Sequence, residues 1–175
     1  MEYAEVSGGL ALAQILQANK VPFQIFERDD GPSTRKQGWA VALIESLPAL
    51  KNVIPAETYR DLHTTSVNHE TGDFDELAIM HAETGEVAAK IGGVPLGEPG
   101  SLLRANREAL REYLWSANDL PVSKNKEFVR YEEDENGVTA FFKDGGSARG
   151  RLIVGADGLH CEFICWHLER LRRAA

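Results

Sequence analysis

Leu152-Ile153-Val154-Gly155-Ala156-Asp157-Gly158-Leu159-His160 sets an apolar run directly before two glycines that bracket an aspartate. The run predicts a buried strand. Gly155 and Gly158 allow backbone to approach a ligand closely, and the Asp157 carboxylate can accept hydrogen bonds from hydroxyl groups. A plain Gly-Asp turn leaving a strand would not call for the preceding Gly-Ala. Immediately upstream, three strand-like runs at 127–131, 138–143 and 149–154 are separated by Asp134-Glu135-Asn136-Gly137 and Asp144-Gly145-Gly146-Ser147. Such turns favour antiparallel pairing, so the sequence predicts a β-meander whose last strand runs straight into the glycine-bracketed aspartate.

Working outward, residues 9–19 are mostly small and apolar with Gln14, Gln17 and Asn19 as polar punctuation, which predicts a helix covered on most sides. Val21-Pro22 ends it, and Phe23-Gln24-Ile25-Phe26 alternates into a short strand closed by Glu27-Arg28-Asp29-Asp30-Gly31-Pro32. A helix opening with Gly8-Gly9, then a strand whose last residue is Glu27, has the layout of a dinucleotide-binding βαβ unit seen from its first helix onward. Gly9 and Glu27 are 18 residues apart, near the roughly 20 expected for a carboxylate on an adenosine ribose. Taken alone, this pair is equally well explained by a small-residue helix start packed on a sheet, followed by a charged turn.

Between these ends, residues 39–44 and 76–80 read as strands, 55–62 as a short helix, and Thr84-Gly85-Glu86 as a hairpin turn. Residues 92–100 read as loop. Asn106 is positioned to cap a second helix carrying Glu108 in its first turn and Ala109, Leu110, Tyr113 and Leu114 at helical spacing, ending before Pro121. Residues 163–171 predict a last helix with a basic end.

The composition narrows the function classes. The chain has 175 residues, 43% hydrophobic and 26% charged, enough for one core but not two, so one domain or part of a larger one is expected. A net charge of −8 has the wrong sign for nucleic acid or an anionic membrane surface. No apolar run nears the ~20 residues of a membrane span, and the acidic start Met1-Glu2-Tyr3-Ala4-Glu5 is unlike a secretory signal, so a cytoplasmic location is expected. Cys161 and Cys165 suit neither a zinc site nor a disulfide framework and read as reduced thiols; no metal site is expected. His63, His69 and His81 are isolated and read as surface or packing residues.

Gly9-Leu10-Ala11-Leu12-Ala13, Phe26-Glu27-Arg28, Leu103-Arg104 with Leu110, the meander and Gly155-Ala156-Asp157-Gly158 occur in the order seen in FAD-dependent aromatic hydroxylases. The chain resembles the N-terminal part of a class A flavoprotein monooxygenase of the para-hydroxybenzoate hydroxylase type. That resemblance implies an α/β fold: an incomplete Rossmann-like FAD-binding domain of the glutathione-reductase type, with a β-meander and an inserted partial substrate-domain segment. It divides the chain into a partial FAD-binding βαβ unit (1–30), a mixed segment with part of the substrate domain (31–100), the FAD-domain helix, meander and aspartate motif (101–160), and an atypical helical tail (161–175).

Carried over by motif, Gly9 matches the last glycine of G-x-G-x-x-G and Glu27 the acid on the adenosine ribose. Arg104 matches an arginine of the long-helix region on the flavin side, and Asp157 the aspartate at the ribityl or pyrophosphate region. Arg28 and Arg35 are further cofactor-binding candidates. The implied activity uses FAD with NAD(P)H as co-substrate to transfer oxygen from O₂ to an aromatic or polyketide-like small molecule. The catalysis then lies in the cofactor, and no catalytic side chain is singled out.

The chain departs from the pattern at both ends. The two earlier motif glycines should fall at positions 4 and 6, which hold Ala4 and Val6, and Cys161-Glu162-Phe163 follows the aspartate motif where the family has a serine and an arginine. A truncated or misspliced gene product is therefore expected, and an alternative is a non-catalytic remnant or accessory module that does not bind flavin. A flavin reductase or dehydrogenase of related fold is a third reading.

Overall fold

The computed structural model describes residues 6–32, 34, 40–68 and 74–158, and across them the chain is mixed α/β. Helix α1 (Val6–Ala18) buries Leu10, Ala13 and Gln14, three residues at the i, i+3, i+4 spacing that makes one stripe of a helix. Most of its remaining described side chains are half covered, so α1 is buried along that stripe and not on most sides as its composition implies.

The end of α1 reverses the chain. The Lys20 N–H donates to the Gln17 carbonyl at 3.0 Å and the Val21 N–H to the Leu16 carbonyl at 2.9 Å. Lys20 has φ 57°, the left-handed position that this Schellman turn usually gives to glycine. Extended chain through Pro22 then leads to strand β1 (Ile25–Phe26), which pairs in parallel with β6 (Val122–Ser123). The Phe26 ring stacks on Phe142 at 4.7 Å between centroids, tying this small sheet to the meander.

Strand β5 (Leu103–Asn106) is the centre of the core. It pairs antiparallel with β2 (Ala40–Leu43) and meets Ser66 through a single bridge at Ala105 on its other side, so Leu103 and Ala105 are enclosed. Helix α4 (Arg107–Ser116) leaves β5 directly, and the Asn106 side chain accepts from the Glu108 and Ala109 amides at 3.0 and 3.1 Å, as the sequence predicts. Leu110 and Leu114 of α4 pack with Leu10, with Leu47 of α2 (Ser46–Lys51), with Tyr59 of α3 (Ala56–Arg60), and with Ile54 and Leu62. Buried Gln14 bolts α1 to this cluster: its Nε2 donates to the Leu114 and Ala117 carbonyls at 3.0 Å each, satisfying groups that the end of α4 would otherwise leave orphaned.

Two elements lie outside this core. Strands β3 (Glu76–Met80) and β4 (Val87–Gly92) form the expected antiparallel hairpin, yet Leu77, Ile79, Met80 and Val87 are exposed on it. Strands β7 (Phe128–Asp134), β8 (Gly137–Phe142) and β9 (Ser147–Gly150) form the expected meander. The expected buried strand at Leu152-Ile153-Val154 is not found: β9 stops at Gly150, and Leu152 and Val154 are 80% and 57% exposed. Gly150 lies opposite Val138, one residue from the start of β8, so beyond it the partner backbone has run out. Among the described residues no other strand flanks 152–154.

Candidate functional site

The glycine-bracketed aspartate and the first turns of α1 meet. A Cβ added at Gly9 would stand 3.0 Å from the Ala156 Cβ, so the missing side chain is what lets the Gly155-Ala156-Asp157-Gly158 segment close on the helix. At Gly8, beside the start of a 13-residue helix, an added Cβ would meet nothing within 4 Å among the described residues. Its first turn carries no acidic side chain, so the positive end of the helix dipole there is not offset from within the turn. Asp157 Oδ1 is buried and has no hydrogen-bond partner among the described residues. A buried acceptor of this kind calls for a donor, and a hydroxyl-bearing ligand supplies one. Among the described residues, a helix start without acidic side chains for phosphate and a carboxylate oxygen without a partner for hydroxyl together fit the donor and acceptor set of a dinucleotide such as FAD.

The chain between Gly9 and Glu27 is long enough for Glu27 to return to the start of α1. From Gly9 to Ala18 the helix rises about 14 Å, and the extended stretch from Val21 to Glu27 returns up to about 20 Å. The Glu27 backbone is fixed, with the N–H donating to the Ser123 carbonyl at 3.0 Å and the carbonyl accepting from the Lys126 N–H at 2.8 Å. The buried carboxylate accepts from the Asp29 N–H through Oε1 at 3.0 Å and faces the Arg111 guanidinium through Oε2 at 3.5 Å. Arg111 also bonds Asp29 Oδ2 at 3.3 Å. Arg28 is exposed in the turn beyond.

Arg104 has a carboxylate partner of its own. It sits on β5 rather than in the helix region its motif implies, and its side chain is committed to Asp75: Nε lies 3.0 and 3.1 Å from the two carboxylate oxygens, while the Arg104 backbone N–H donates to Oδ2 at 2.8 Å. Burial pushes the Asp75 carboxyl up, but the hydrogen bonds and charge of Arg104 outweigh it and hold the group below the ordinary carboxylate range. The same pairing pushes the Arg104 guanidinium up. Asp75 is itself clamped, because Gly92 at φ 89° passes so close that an added Cβ would stand 2.1 Å from the Asp75 carbonyl oxygen.

Of the expected cofactor contacts, Gly9 meets the loop that carries Asp157, Glu27 is held by Asp29 and Arg111, and Arg104 is held by a carboxylate 29 residues earlier in sequence. Arg35 falls outside the described residues, as do His69, Cys161, Cys165 and the expected last helix. His63 Nδ1 rests 2.8 Å from the Arg60 carbonyl, and His81 is exposed at the hairpin tip. Sequence reasoning missed Arg111 and Asp75. Arg111 had a legible signal, since it follows Leu110 and precedes Leu114 by three, on the flank of the buried stripe of α4. Asp75 had none. Among the described residues no cluster of three His, Cys, Asp or Glu side chains could hold a metal ion, and no described helix is long and apolar enough to cross a membrane.

Comparison with known proteins gives the site its context. No family model matches the chain. It is 35% identical over 151 residues to the FAD-dependent monooxygenase phnB of Penicillium herquei, and 33% identical over 152 residues to the FAD-dependent monooxygenase thnD of Trichoderma harzianum. These alignments take in 86% and 87% of this chain but 36% of each relative. Among solved structures, a Photorhabdus luminescens protein provisionally described as an FAD-containing monooxygenase superposes with TM-score 0.66 at 26% identity, over 89% of this chain and 38% of that one. Klebsiella pneumoniae HpxO, solved with FAD and uric acid, superposes with TM-score 0.64 at 22% identity, over 91% and 39%, and shares the fold. The chain is a homologue of the FAD-dependent monooxygenases, the family its motifs resemble, and it spans a little over one third of their length.

Proposed function

We propose that this chain forms the FAD-binding portion of a monooxygenase that hydroxylates an aromatic or polyketide-like small molecule and draws electrons from NAD(P)H. The observation that carries the reading is the contact between Gly9 and Ala156, which brings to the first turns of α1 the loop of Asp157, whose Oδ1 has no hydrogen-bond partner among the described residues. In this reading the fold is an incomplete Rossmann-like FAD domain, with residues 1–30 and 101–160 on the cofactor and the β3–β4 hairpin part of an inserted substrate segment. The amides of the first turn of α1 bind the pyrophosphate, Glu27 the adenosine ribose, and Asp157 a hydroxyl of the ribityl chain or its neighbourhood. Arg28 and Arg35 remain peripheral candidates for phosphate. Arg104 acts indirectly, since its charge is already matched by Asp75.

Bound FAD would supply the redox chemistry and the activation of O₂. The protein's own part is to bind, to orient and to exclude water; an obvious general base is not required of it. A second reading, a related module that does not bind flavin, draws on the exposed Leu152 and Val154 next to the aspartate motif. Titration of the purified chain with FAD, FMN and ADP separates the two. The proposed function predicts saturable binding of FAD and ADP with a rise in Tm, and much weaker binding of FMN, which lacks the adenosine half. Indifference to all three would overturn it.

A further inference from the structure

We infer that Arg111 is a positioning residue for the adenosine end of the cofactor: it holds the Glu27 carboxylate ready for a ribose diol. The inference rests on the reading of Glu27 given under Proposed function and adds to it a residue on a different element, 84 positions away in the chain. Glu27 and Asp29 are both buried and lie two residues apart on one strand end, where two carboxylates without a cation would repel each other in a poorly hydrated setting. Arg111, itself buried, stands 3.5 Å from Glu27 Oε2 and 3.3 Å from Asp29 Oδ2. The Asp29 N–H, 3.0 Å from Glu27 Oε1, holds the other oxygen. The carboxylate is therefore held by a hydrogen bond on one oxygen and an ion pair on the other, and each oxygen can still accept a hydrogen bond, the arrangement that suits two adjacent hydroxyls.

Stability alone explains this arrangement poorly. Arg111 Nε is buried without a hydrogen-bond partner among the described residues, and a buried ion pair with an unsatisfied donor is often no better than well-packed apolar side chains of the same volume. The guanidinium also lies 5.8 Å from the centre of the Trp115 ring one helical turn on, which fixes its approach from α4. Three elements, the end of β1, the turn after it and α4, converge on one carboxylate whose backbone is already fixed at both its N–H and its carbonyl. Such support is what a recognition group needs to be pre-organised before its ligand arrives.

The test compares ADP with 2′-deoxy-ADP by calorimetric titration of the whole chain, together with Tm. Wild type is expected to favour ADP by about tenfold, the worth of a hydroxyl bonded to a charged acceptor. In Arg111→Met the preference should fall to within about twofold, and in Arg111→Lys, which keeps the charge but loses the planar fork, to an intermediate value. A purely structural role would lower Tm while leaving the ADP to 2′-deoxy-ADP ratio unchanged, and that result overturns the inference. Should Arg111→Met fail to fold, Arg111→Lys decides in the same way. If wild type binds ADP but not selectively over the deoxy form, the inference fails and FAD binding can still stand; if wild type binds neither ADP nor FAD, the proposed function falls and the inference with it.

Discussion

Leu102-Leu103 and Leu152-Ile153-Val154 are both short aliphatic runs at the edge of a strand, and they end in opposite environments. Leu102 and Leu103 are 1% and 2% exposed, whereas Leu152 and Val154 face solvent. The difference is one of neighbours. β5 has β2 on one side, Ser66 on the other, and a core cluster that includes Leu10 of α1 and Leu110 of α4 packed against it. The later run has lost its partner strand at Gly150 and has no described strand beside it. Hydrophobic composition gives a segment a reason to be buried, and only adjacent structure can bury it.

The largest test of this contrast is a pair of truncations. Leu103→Ala should cost about 2–5 kcal/mol in urea unfolding, the usual loss for a leucine in an enclosed core, while Leu152→Ala should change stability by less than about 0.5 kcal/mol. Similar losses at the two sites would mean that 152–154 is covered in solution. Next comes the clamp that joins the exposed hairpin to the core. Asp75→Ala leaves Arg104 without its carboxylate and should cost about 3 kcal/mol at neutral pH, somewhat less to the extent that Arg104 reaches solvent. Because the folded carboxyl of Asp75 is held below its unfolded value near 4, its contribution is full above that value and is lost as pH falls through the folded one. Acid titration of stability should therefore show a limb below about pH 4 that is reduced in Asp75→Ala. An unchanged acid limb would separate the hairpin from the core energetically.

A smaller effect is expected at the end of α1. Lys20→Gly relieves a left-handed position and should raise stability by about 1 kcal/mol, read as a shift in the urea midpoint without a change in slope. The smallest concerns the exposed side alone: Ile79→Thr on β3 should leave Tm within a degree or two and improve solubility, since it removes an apolar group from an unprotected strand. A marked loss of Tm there would show that the hairpin has a covered face.

Much of this was legible in the sequence, for local reasons. The Asn106 cap, the Thr84-Gly85 turn and the meander turns are chemistry within four or five residues, and each formed as written. The glycine at position 9 stood out by its spacing to Glu27, but what it contacts, Ala156, lies far along the chain and had no signal in that spacing. What could not be read was pairing at a distance. Arg104 had the right neighbours in sequence for a cofactor contact, but Asp75 takes its guanidinium, and no periodicity announces a partner 29 residues away. The strand expected at 152–154 failed for the same reason, since an apolar run says nothing about whether another strand stands next to it.

The account depends on Glu27 and Asp157 serving one bound molecule. Equilibrium titration with FAD of wild type, Glu27→Gln and Asp157→Asn tests that most directly. The account predicts saturable binding by wild type and a loss of roughly tenfold or more in each variant, with Tm in the absence of FAD little changed for Asp157→Asn, because Oδ1 of Asp157 has no hydrogen-bond partner among the described residues. FAD binding that is absent in wild type, or that survives both substitutions at full strength, would contradict it.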